Sequence, residues 1–318
     1  VGTLLDSISP YFMRIKKGDL GISPAINHPP IAVEMKPSQR KIYDYIEKQY
    51  ISDIAGGRDQ RLKSELVKAR MIRLMQATTN PALLRQPISD FAAIEGVDFS
   101  SIKDDSDMLR EILKYSENEI PAKYEKARDI IKDIIENGGK VIVWACYIKN
   151  IEMLSKYLES QGIETRTLYG ATPIAGDDLT EEDEEYSLTR EAIVKEFHNP
   201  DSPFKVIIAN PFAVSESISL HKACHNAIYL ERSFNAAHFL QSKDRIHRYG
   251  LKPGVETHYY YLVSKDSVDN TIHTRLQEKE QRLMESMPIP LFDSYLGDDG
   301  DEDIKAVLRD YARRTKTV

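Results

Sequence analysis

The segment Gln241–Gly250, QSKDRIHRYG, carries two arginines at regular intervals from an aspartate and an amide. The four polar residues fall at positions i, i+3, i+4 and i+7: Gln241, Asp244, Arg245 and Arg248. That spacing predicts one face of one helix, a face that on ordinary surface helices is apolar. Two neighbouring guanidiniums repel each other, and a single aspartate neutralises only one of them. The segment therefore favours the binding of an anion.

Phosphate fits such a pair of arginines, because a guanidinium binds it through two parallel N–H groups. In phosphoryl transfer, charge grows on the γ-phosphate oxygens, and an inserted arginine stabilises that charge. The spacing alone leaves two other interpretations open. The charges can form a surface network without a ligand. Alternatively, His238, Asp244 and His247 can be metal ligands, although a fourth ligand is missing.

The elements that would position this segment start at Pro121, where apolar runs begin to alternate with amphipathic helices. Five runs are predicted as strands: Lys140–Ala145, Glu164–Leu168, Phe204–Ala209, Ala227–Leu230 and Thr257–Val263. The predicted helices of this part are Tyr124–Glu136, Lys149–Ser160, Arg190–Phe197, Asn235–Arg248 and Ser267–Met284. This order indicates βαβ units, hence an α/β fold with a doubly wound parallel sheet. Ligands of such sheets bind beyond the carboxyl ends of the strands.

The chain is predicted to consist of three parts. Residues 1–120 are a linker followed by a helical region, in which Phe91–Glu119 reads as loop and short helix. Residues 121–285 form the α/β lobe. Residues 286–318 form a tail with one final helix.

The composition of the 318 residues, 41% apolar and 29% charged, is typical of a globular protein. No apolar run approaches the ~20 residues of a membrane helix. The net charge of −7 is unusual for a nucleic-acid-binding protein. However, Asp177–Glu185 and Asp298–Asp303 supply twelve of the 50 acidic residues and are predicted as solvated loop and tail. Cys146 and Cys224 form no CxxC pair, so we expect buried thiols in a reducing compartment and a cytoplasmic location.

The pattern Q-x-x-D-R-x-H-R-x-G resembles the sixth conserved motif of superfamily-two helicases. Its Asp-Arg-x-His-Arg form resembles the Swi/Snf-type branch of DNA-dependent ATPases. Further segments resemble family elements in the family's order: Pro10–Lys17, Met35–Ile46, Met71–Leu84, Lys140–Tyr147, Leu168–Gly170, Ile207–Leu220 and Tyr229–Asn235. The fifth motif departs from the family in that Ser215-Glu216-Ser217 stands where glycines are usual, and the run Ser215–His221, SESISLH, looks more like prokaryotic members. In a prokaryote the protein would be nucleoid-associated.

The resemblance implies a RecA-like fold, namely the second lobe of a helicase motor with an N-terminal helical insertion. It implies that Arg245 and Arg248 are arginine fingers that reach ATP held by another lobe. The residues implied in binding the nucleotide or coupling its hydrolysis are Gln241, Asp244, Glu216 and Ser217. Double-stranded DNA is the implied partner, contacted along its backbone without sequence preference.

Four loop residues match family positions that touch DNA phosphate: Tyr147, Lys149, Gly170 and Asn210. Loop hydroxyls, amides and lysines are common phosphate-binding groups in protein–DNA complexes. For each of them the alternative is a loop residue that is merely exposed to solvent.

No phosphate loop of the form GxxxxGK[ST] occurs in the sequence, and no Asp-Glu-x-His box follows a strand. In the resembling family those elements bind ATP and Mg²⁺ in the first lobe. We therefore expect this chain to need a first motor lobe as its partner and to be inactive alone. Two alternatives remain, a strand-separating helicase and a degenerate lobe that serves as a DNA- or protein-binding scaffold.

Overall fold

The computed structural model describes residues 17–56, 60–85, 106–175, 187–212, 218–285 and 300–315. Within these ranges seven strands form a sheet in the order β1-β7-β6-β3-β5-β4, with β2 also paired to β7. All of these pairings are parallel. The strands are β1 (Ile26–Asn27), β2 (Ile31–Val33), β3 (Val141–Trp144), β4 (Thr165–Leu168), β5 (Val206–Ala209), β6 (Asn226–Tyr229) and β7 (His258–Ser264).

The described ranges also contain nine α-helices. They are α1 (Pro37–Gly56), α2 (Gln60–Thr79), α3 (Ser106–Asn118), α4 (Ala122–Glu136), α5 (Ile148–Ser160), α6 (Arg190–His198), α7 (Ala236–Lys243), α8 (Val268–Glu285) and α9 (Gly300–Thr315). Two short 3-10 helices cover Lys17–Leu20 and Pro81–Arg85. None of these helices is long and apolar enough to cross a membrane.

The central strand β3 shows why the strands read as continuous apolar runs. Val141 and Val143 belong to one core, which α4 and α5 cover. Ile142 and Trp144 belong to a second core on the opposite face, which is shared with α1, α2 and α8. All four side chains are at most 1% exposed. A parallel sheet covered on both faces needs apolar residues at every position, which confirms the predicted α/β fold with a doubly wound parallel sheet.

The five predicted strands are all present, and their ends differ from the predicted ends by at most two residues. Two strands were not predicted: β1 and β2 have only two and three residues, too few to show a periodicity. Both pair with β7, which lies more than 200 residues further along the chain. Residues before 120 thus contribute to the sheet, and the division of the chain at that point stays a prediction.

The N-terminal helical region packs directly on the lobe. Tyr43 of α1 is fully buried, and its hydroxyl accepts a hydrogen bond of 2.8 Å from the backbone N–H of Val268 at the start of α8. Gln39 donates to the carbonyls of Ala77 and Thr78 at the end of α2, which holds the two long helices together. The predicted short helix before residue 120 corresponds to α3.

The predicted helix Asn235–Arg248 is too long, because α7 ends at Lys243 with Asp244 as its C-cap. Beyond it, local turn bonds continue, such as that from the N–H of His247 to the carbonyl of Lys243 at 3.2 Å, and tertiary contacts to the backbone carbonyls add to them. The hydroxyl of Tyr259 donates to the carbonyl of Lys243 at 2.8 Å, and the N–H of Leu220 donates to the carbonyl of Arg245 at 2.9 Å. The α-helix is thus shorter than predicted, although Gln241, Asp244 and Arg248 are exposed and Arg245 is half-buried, as one face would require.

The final helix predicted for the tail corresponds to α9. The prediction that Asp298–Asp303 is solvated is wrong for Asp303, which is 2% exposed and accepts hydrogen bonds from Arg275 and Lys279 of α8, at 2.8 and 3.0 Å. The acidic run Asp177–Glu185 lies outside the described residues. Cys146 and Cys224 are buried free thiols, and burial raises the pKa of both.

Candidate functional site

Glu231, which follows β6, organises the loops at the carboxyl end of the sheet. Its Oε1 accepts hydrogen bonds from the backbone N–H groups of Cys146 and Tyr147, at 3.2 and 3.5 Å. The side-chain amide of Asn150 donates to the same oxygen at 3.0 Å. Tyr147 is the N-cap of α5, so the carboxyl group lies at the positive end of that helix.

Glu231 is 5% exposed, and Oε2 of its carboxyl group has no hydrogen-bond partner among the described residues. Burial raises its pKa to about 7, although the amides and Lys123 oppose that rise. Sequence reasoning missed this residue. The signal was an acid placed directly after the apolar run of β6, where parallel sheets position functional groups.

Helix α7 leads into the residues that carry the arginines, and side-chain contacts hold it against the sheet. Asn235 caps it by accepting a hydrogen bond from the N–H of His238 at 3.2 Å. Near its end, the hydroxyls of Ser242 and Tyr229 are hydrogen-bonded at 2.8 Å. Beyond it, Ile246 is fully buried. These contacts place the following residues on the surface in a defined orientation.

The arginines occupy the turn after α7, which we call the arginine turn (residues 244–250). Arg245 is half-buried, and its Nη1 donates to the carbonyl of Ile218 at 3.3 Å. Arg248 is exposed, and no ion pair to it occurs within the described ranges. The turn thus presents a guanidinium whose charge no described acid neutralises, which is the arrangement expected of an anion-binding surface.

Asp244 does not serve as the expected partner of an arginine. Its carboxylate contacts the ammonium of Lys17, from the segment that precedes β1. His247 lies beside this pair, with Nδ1 3.3 Å from the Lys17 ammonium and Nε2 2.8 Å from the carbonyl of Ser23. Gln241 is exposed on the last turn of α7.

The arginine turn ends at Gly250, where φ is +96° and the backbone touches His221. A Cβ at this position would lie 2.9 Å from Nε2 of His221, so any other residue would strain the backbone and force the ring to shift. The other ring nitrogen of His221 is 2.8 Å from Oγ of Ser219. Burial, and then the positive charge of Arg248, lower the pKa of His221. Sequence reasoning did not predict this contact.

The four residues predicted to touch DNA divide into two groups. Tyr147 is 2% exposed, and its hydroxyl donates to the carbonyl of Ile72. Asn210 is 5% exposed, donates to the carbonyl of Cys146 and accepts from the N–H of Phe212. These two side chains are buried and hydrogen-bonded inside the fold, where they position their loops, and their contact with phosphate stays a prediction.

Lys149 and Gly170 remain accessible at the same edge of the sheet. Lys149 is half-exposed in the first turn of α5 and pairs with Glu152 at 2.9 Å. Gly170 is exposed, and nothing lies within 4 Å of a Cβ built on it. Its carbonyl accepts a hydrogen bond from Arg190, which fixes the loop.

Glu216 and Ser217, predicted to couple nucleotide hydrolysis, lie outside the described residues. The histidine and aspartate side chains considered as metal ligands do not converge. Across the described ranges no group of three or more His, Cys, Asp or Glu side chains is placed to hold a metal ion. His238 instead stacks edge-on against Phe212, with 4.6 Å between the ring centroids.

Comparison with known sequences gives relatives of one kind. No protein-family model matches the chain. A SWI/SNF-related matrix-associated actin-dependent regulator of chromatin from Caenorhabditis elegans, subfamily A containing DEAD/H box 1 homolog, is 26% identical over 292 residues. Those residues are 82% of this chain and 27% of that protein. An uncharacterized ATP-dependent helicase from Mycoplasma pneumoniae is 28% identical over 163 residues, 51% of this chain and 14% of that protein.

Solved structures share the fold. The C-terminal part of the Fun30 ATPase domain superposes with a TM-score of 0.61 at 17% identity, covering 93% of this chain and 99% of that one. The C-terminal domain of the Sulfolobus solfataricus SWI2/SNF2 ATPase gives a TM-score of 0.51 at 18% identity, covering 89% and 98%.

The fold is that of the C-terminal domain of a SWI2/SNF2 ATPase, a RecA-like parallel sheet with helices on both faces. The homologues of the chain are Swi/Snf-type ATP-dependent helicases and chromatin remodelling proteins, which confirms the resemblance drawn from the sixth motif. The chain spans about a quarter or less of the length of these curated relatives. Relatives come from animals, fungi and bacteria, so the likeness to prokaryotic members stays a prediction.

Proposed function

We propose that this chain is the second lobe of a Swi/Snf-type ATP-dependent DNA translocase and that it supplies arginine fingers to ATP held by a first lobe. The observation that carries the proposal is the arginine turn itself. Its Arg248 is exposed with no described acidic partner, on a turn anchored to the sheet by buried contacts. A guanidinium held in this way is preorganised for the charge that develops on a transferred phosphoryl group.

Arg245 has a different environment from Arg248 and, in this proposal, a different task. Its guanidinium donates to the carbonyl of Ile218, a residue of the fifth motif. It therefore links the arginine turn to that motif while it approaches the nucleotide. ATP and its Mg²⁺ are bound mainly by the first lobe, where the metal would neutralise phosphate charge. Gln241 and Asp244 act beside the arginines in coupling.

DNA binding in this proposal uses the accessible loops at the carboxyl edge of the sheet. Lys149 and the exposed backbone of Gly170 are the groups offered to phosphates, and Tyr147 and Asn210 support them from inside. Contacts of this kind are blind to sequence and weaken as salt rises. In this proposal the second lobe binds the backbone of the duplex while ATP bound to the first lobe is hydrolysed.

The test is Arg248→Ala in the protein that carries both lobes. DNA-stimulated ATP hydrolysis should fall by about 10³-fold or more, because an arginine finger contributes that much to kcat. DNA affinity should change little. Arg309→Ala is the matched control, since Arg309 is also exposed, on α9, and its ion pair within the described ranges is with Glu302 at 3.4 Å. Turnover retained by the Arg248 variant contradicts the proposed role and favours a scaffold lobe.

A further inference from the structure

The arginine turn is joined to a part of the chain more than 220 residues away, the 3-10 segment that leads into β1. Lys17 contacts both Asp244 and His247, and the carbonyl of Ser23 contacts His247 from the other side. Lys17 and Asp244 are 40% and 55% exposed, so their ion pair alone stabilises the contact little. His247 is 8% exposed and forms the buried part of the junction.

The chemistry of its two neighbours fixes the protonation state of His247. A lysine ammonium can only donate, so Nδ1 of His247 must accept from Lys17. A backbone carbonyl can only accept, so Nε2 must carry the proton that it donates to Ser23. Only the neutral imidazole with its proton on Nε2 satisfies both contacts. A protonated ring would direct a second N–H at the ammonium.

We infer that His247 is a positioning residue: as a neutral imidazole it locks the segment 17–25 onto the arginine turn, so that the two move together. The effect on catalysis rests on the proposed function, in which the arginine turn supplies the arginine fingers. The segment 17–25 precedes the lobe in sequence. A displacement of that segment would then move Arg248 relative to a nucleotide. The lock itself is a property of the described chain and can be measured without ATP.

Hydrogen exchange at two amides measures the lock in the 318-residue chain. The N–H groups of Gly21 and Ile22 bond to the carbonyls of Gly18 and Lys17, so they are protected only while the segment keeps its turn. His247→Leu should speed their exchange by about 10-fold, which corresponds to roughly 1.4 kcal/mol of lost local stability. The N–H of His28, bonded to the carbonyl of Tyr259 in the sheet, should be unaffected.

Two further variants separate the lock from general destabilisation. His247→Gln keeps a donor for the Ser23 carbonyl and should restore most of the protection. His198→Leu is the control, because His198 is also partly buried with a ring nitrogen bonded to a backbone carbonyl, at the end of α6. Unchanged protection in His247→Leu overturns the inference.

The pH dependence gives a readout that packing alone would not produce. The charged groups around His247 are Lys17, Asp244 and Lys243; burial, the largest cause, lowers the pKa of His247, and both lysines add to that effect. A lowered pKa means that the lock is complete above pH 6.5, the usual value for histidine, and is lost as pH falls below it. Protection of Gly21 and Ile22, corrected for intrinsic exchange, should fall between pH 7.5 and about pH 5 in the natural chain and stay level in His247→Gln.

The contact of His247 with the segment 17–25 and the role of Arg248 in ATP hydrolysis are tested by separate measurements. Turnover in Arg248→Ala tests the arginine finger and leaves the exchange at Gly21 and Ile22 unchanged. In the two-lobe protein, His247→Leu should lower kcat with little change in KM for ATP, and His247→Gln should recover it. Nitrogen NMR that finds the proton on Nδ1 of His247 contradicts the lock whatever the ATPase result.

Discussion

The ammonium of Lys123 in α4 lies 2.5 Å from Oδ2 of Asp269 in α8, and both side chains are buried. Lys123 also donates to the carbonyl of Leu230 at the end of β6, and Asp269 accepts from the N–H of Ser264 at the end of β7. One ion pair thus joins helices on the two faces of the sheet across the carboxyl ends of two neighbouring strands. The loop that carries Glu231 begins at this junction.

Removal of one partner of this pair should destabilise the lobe strongly. We expect Lys123→Met to lower the free energy of unfolding by about 3–5 kcal/mol, because Asp269 is left as a buried charge. Urea denaturation followed by circular dichroism measures this. The control is Lys265→Ala, which breaks the exposed pair with Glu34 and should change stability by about 0.5 kcal/mol or less. A loss below about 1 kcal/mol for Lys123→Met would show that Asp269 is neutral or solvated.

The contact between Gly250 and His221 predicts a difference between two glycines. Gly250→Ala and Gly254→Ala both place a side chain at positive φ, +96° and +80°, which costs about 1–3 kcal/mol each. Only Gly250 also meets a neighbour, the His221 ring, since nothing lies within 4 Å of a Cβ on Gly254. We therefore expect Gly250→Ala to lower the melting temperature more than Gly254→Ala.

The double variant Gly250→Ala, His221→Ala isolates the ring contact. Its melting temperature should rise to that of Gly254→Ala, because the ring contact is gone. It should stay below that of the natural chain, because the strain of a side chain at positive φ remains. If Gly250→Ala and Gly254→Ala have the same melting temperature, the His221 ring moves aside without cost. His221 then does not restrict the end of the arginine turn.

Glu231 predicts a fall in stability as pH rises. Its pKa is raised from 4.5 in the unfolded chain to about 7 in the fold, so between these values the folded state holds a proton that the unfolded state has lost. The contribution of this bound proton to the free energy of unfolding is fully present below pH 4.5. It is lost as pH rises through 7, and the total loss is about 3 kcal/mol. Glu231→Gln keeps a carbonyl oxygen for the amides of Cys146 and Tyr147 and should remove this dependence.

Denaturation curves at pH 5 and pH 8 measure the effect. The expected outcome is that Glu231→Gln gains stability relative to the natural chain at pH 8 but not at pH 5. Glu34→Gln, at an exposed carboxyl group, should show no such difference. Equal effects of Glu231→Gln at both pH values would contradict a raised pKa that lies between these two values.

The proposed DNA contact of Lys149 predicts a change in salt dependence. Lys149→Ala in the two-lobe protein should weaken binding to duplexes of any sequence equally and reduce the slope of log affinity against log salt by about 1. Fluorescence anisotropy at several salt concentrations measures both. Lys265→Ala is the control at an exposed lysine elsewhere. An unchanged slope for Lys149→Ala would show that Lys149 does not contact DNA phosphate. Its ammonium would then remain paired with Glu152 when DNA is bound.

The sequence by itself determined the fold class and the family resemblance. Runs such as Lys140–Ala145 are apolar at every position because both faces of a parallel sheet are covered, and that pattern is local. The arginine motif is equally legible, since its residue types and spacing lie within ten consecutive positions, Gln241–Gly250. Chemistry that depends on neighbours in the chain could thus be predicted from the chain.

Only the tertiary structure decided where α7 ends and which groups surround its last turn. Tyr259 and Leu220 donate to the carbonyls of Lys243 and Arg245, and neither contact is visible in a helical periodicity. The same holds for Lys17, which pairs with Asp244 across 227 positions of sequence. The burial of Tyr147 likewise follows from the packing of α2 against the sheet. Contacts at such separations depend on how the elements pack, and no local pattern records that packing.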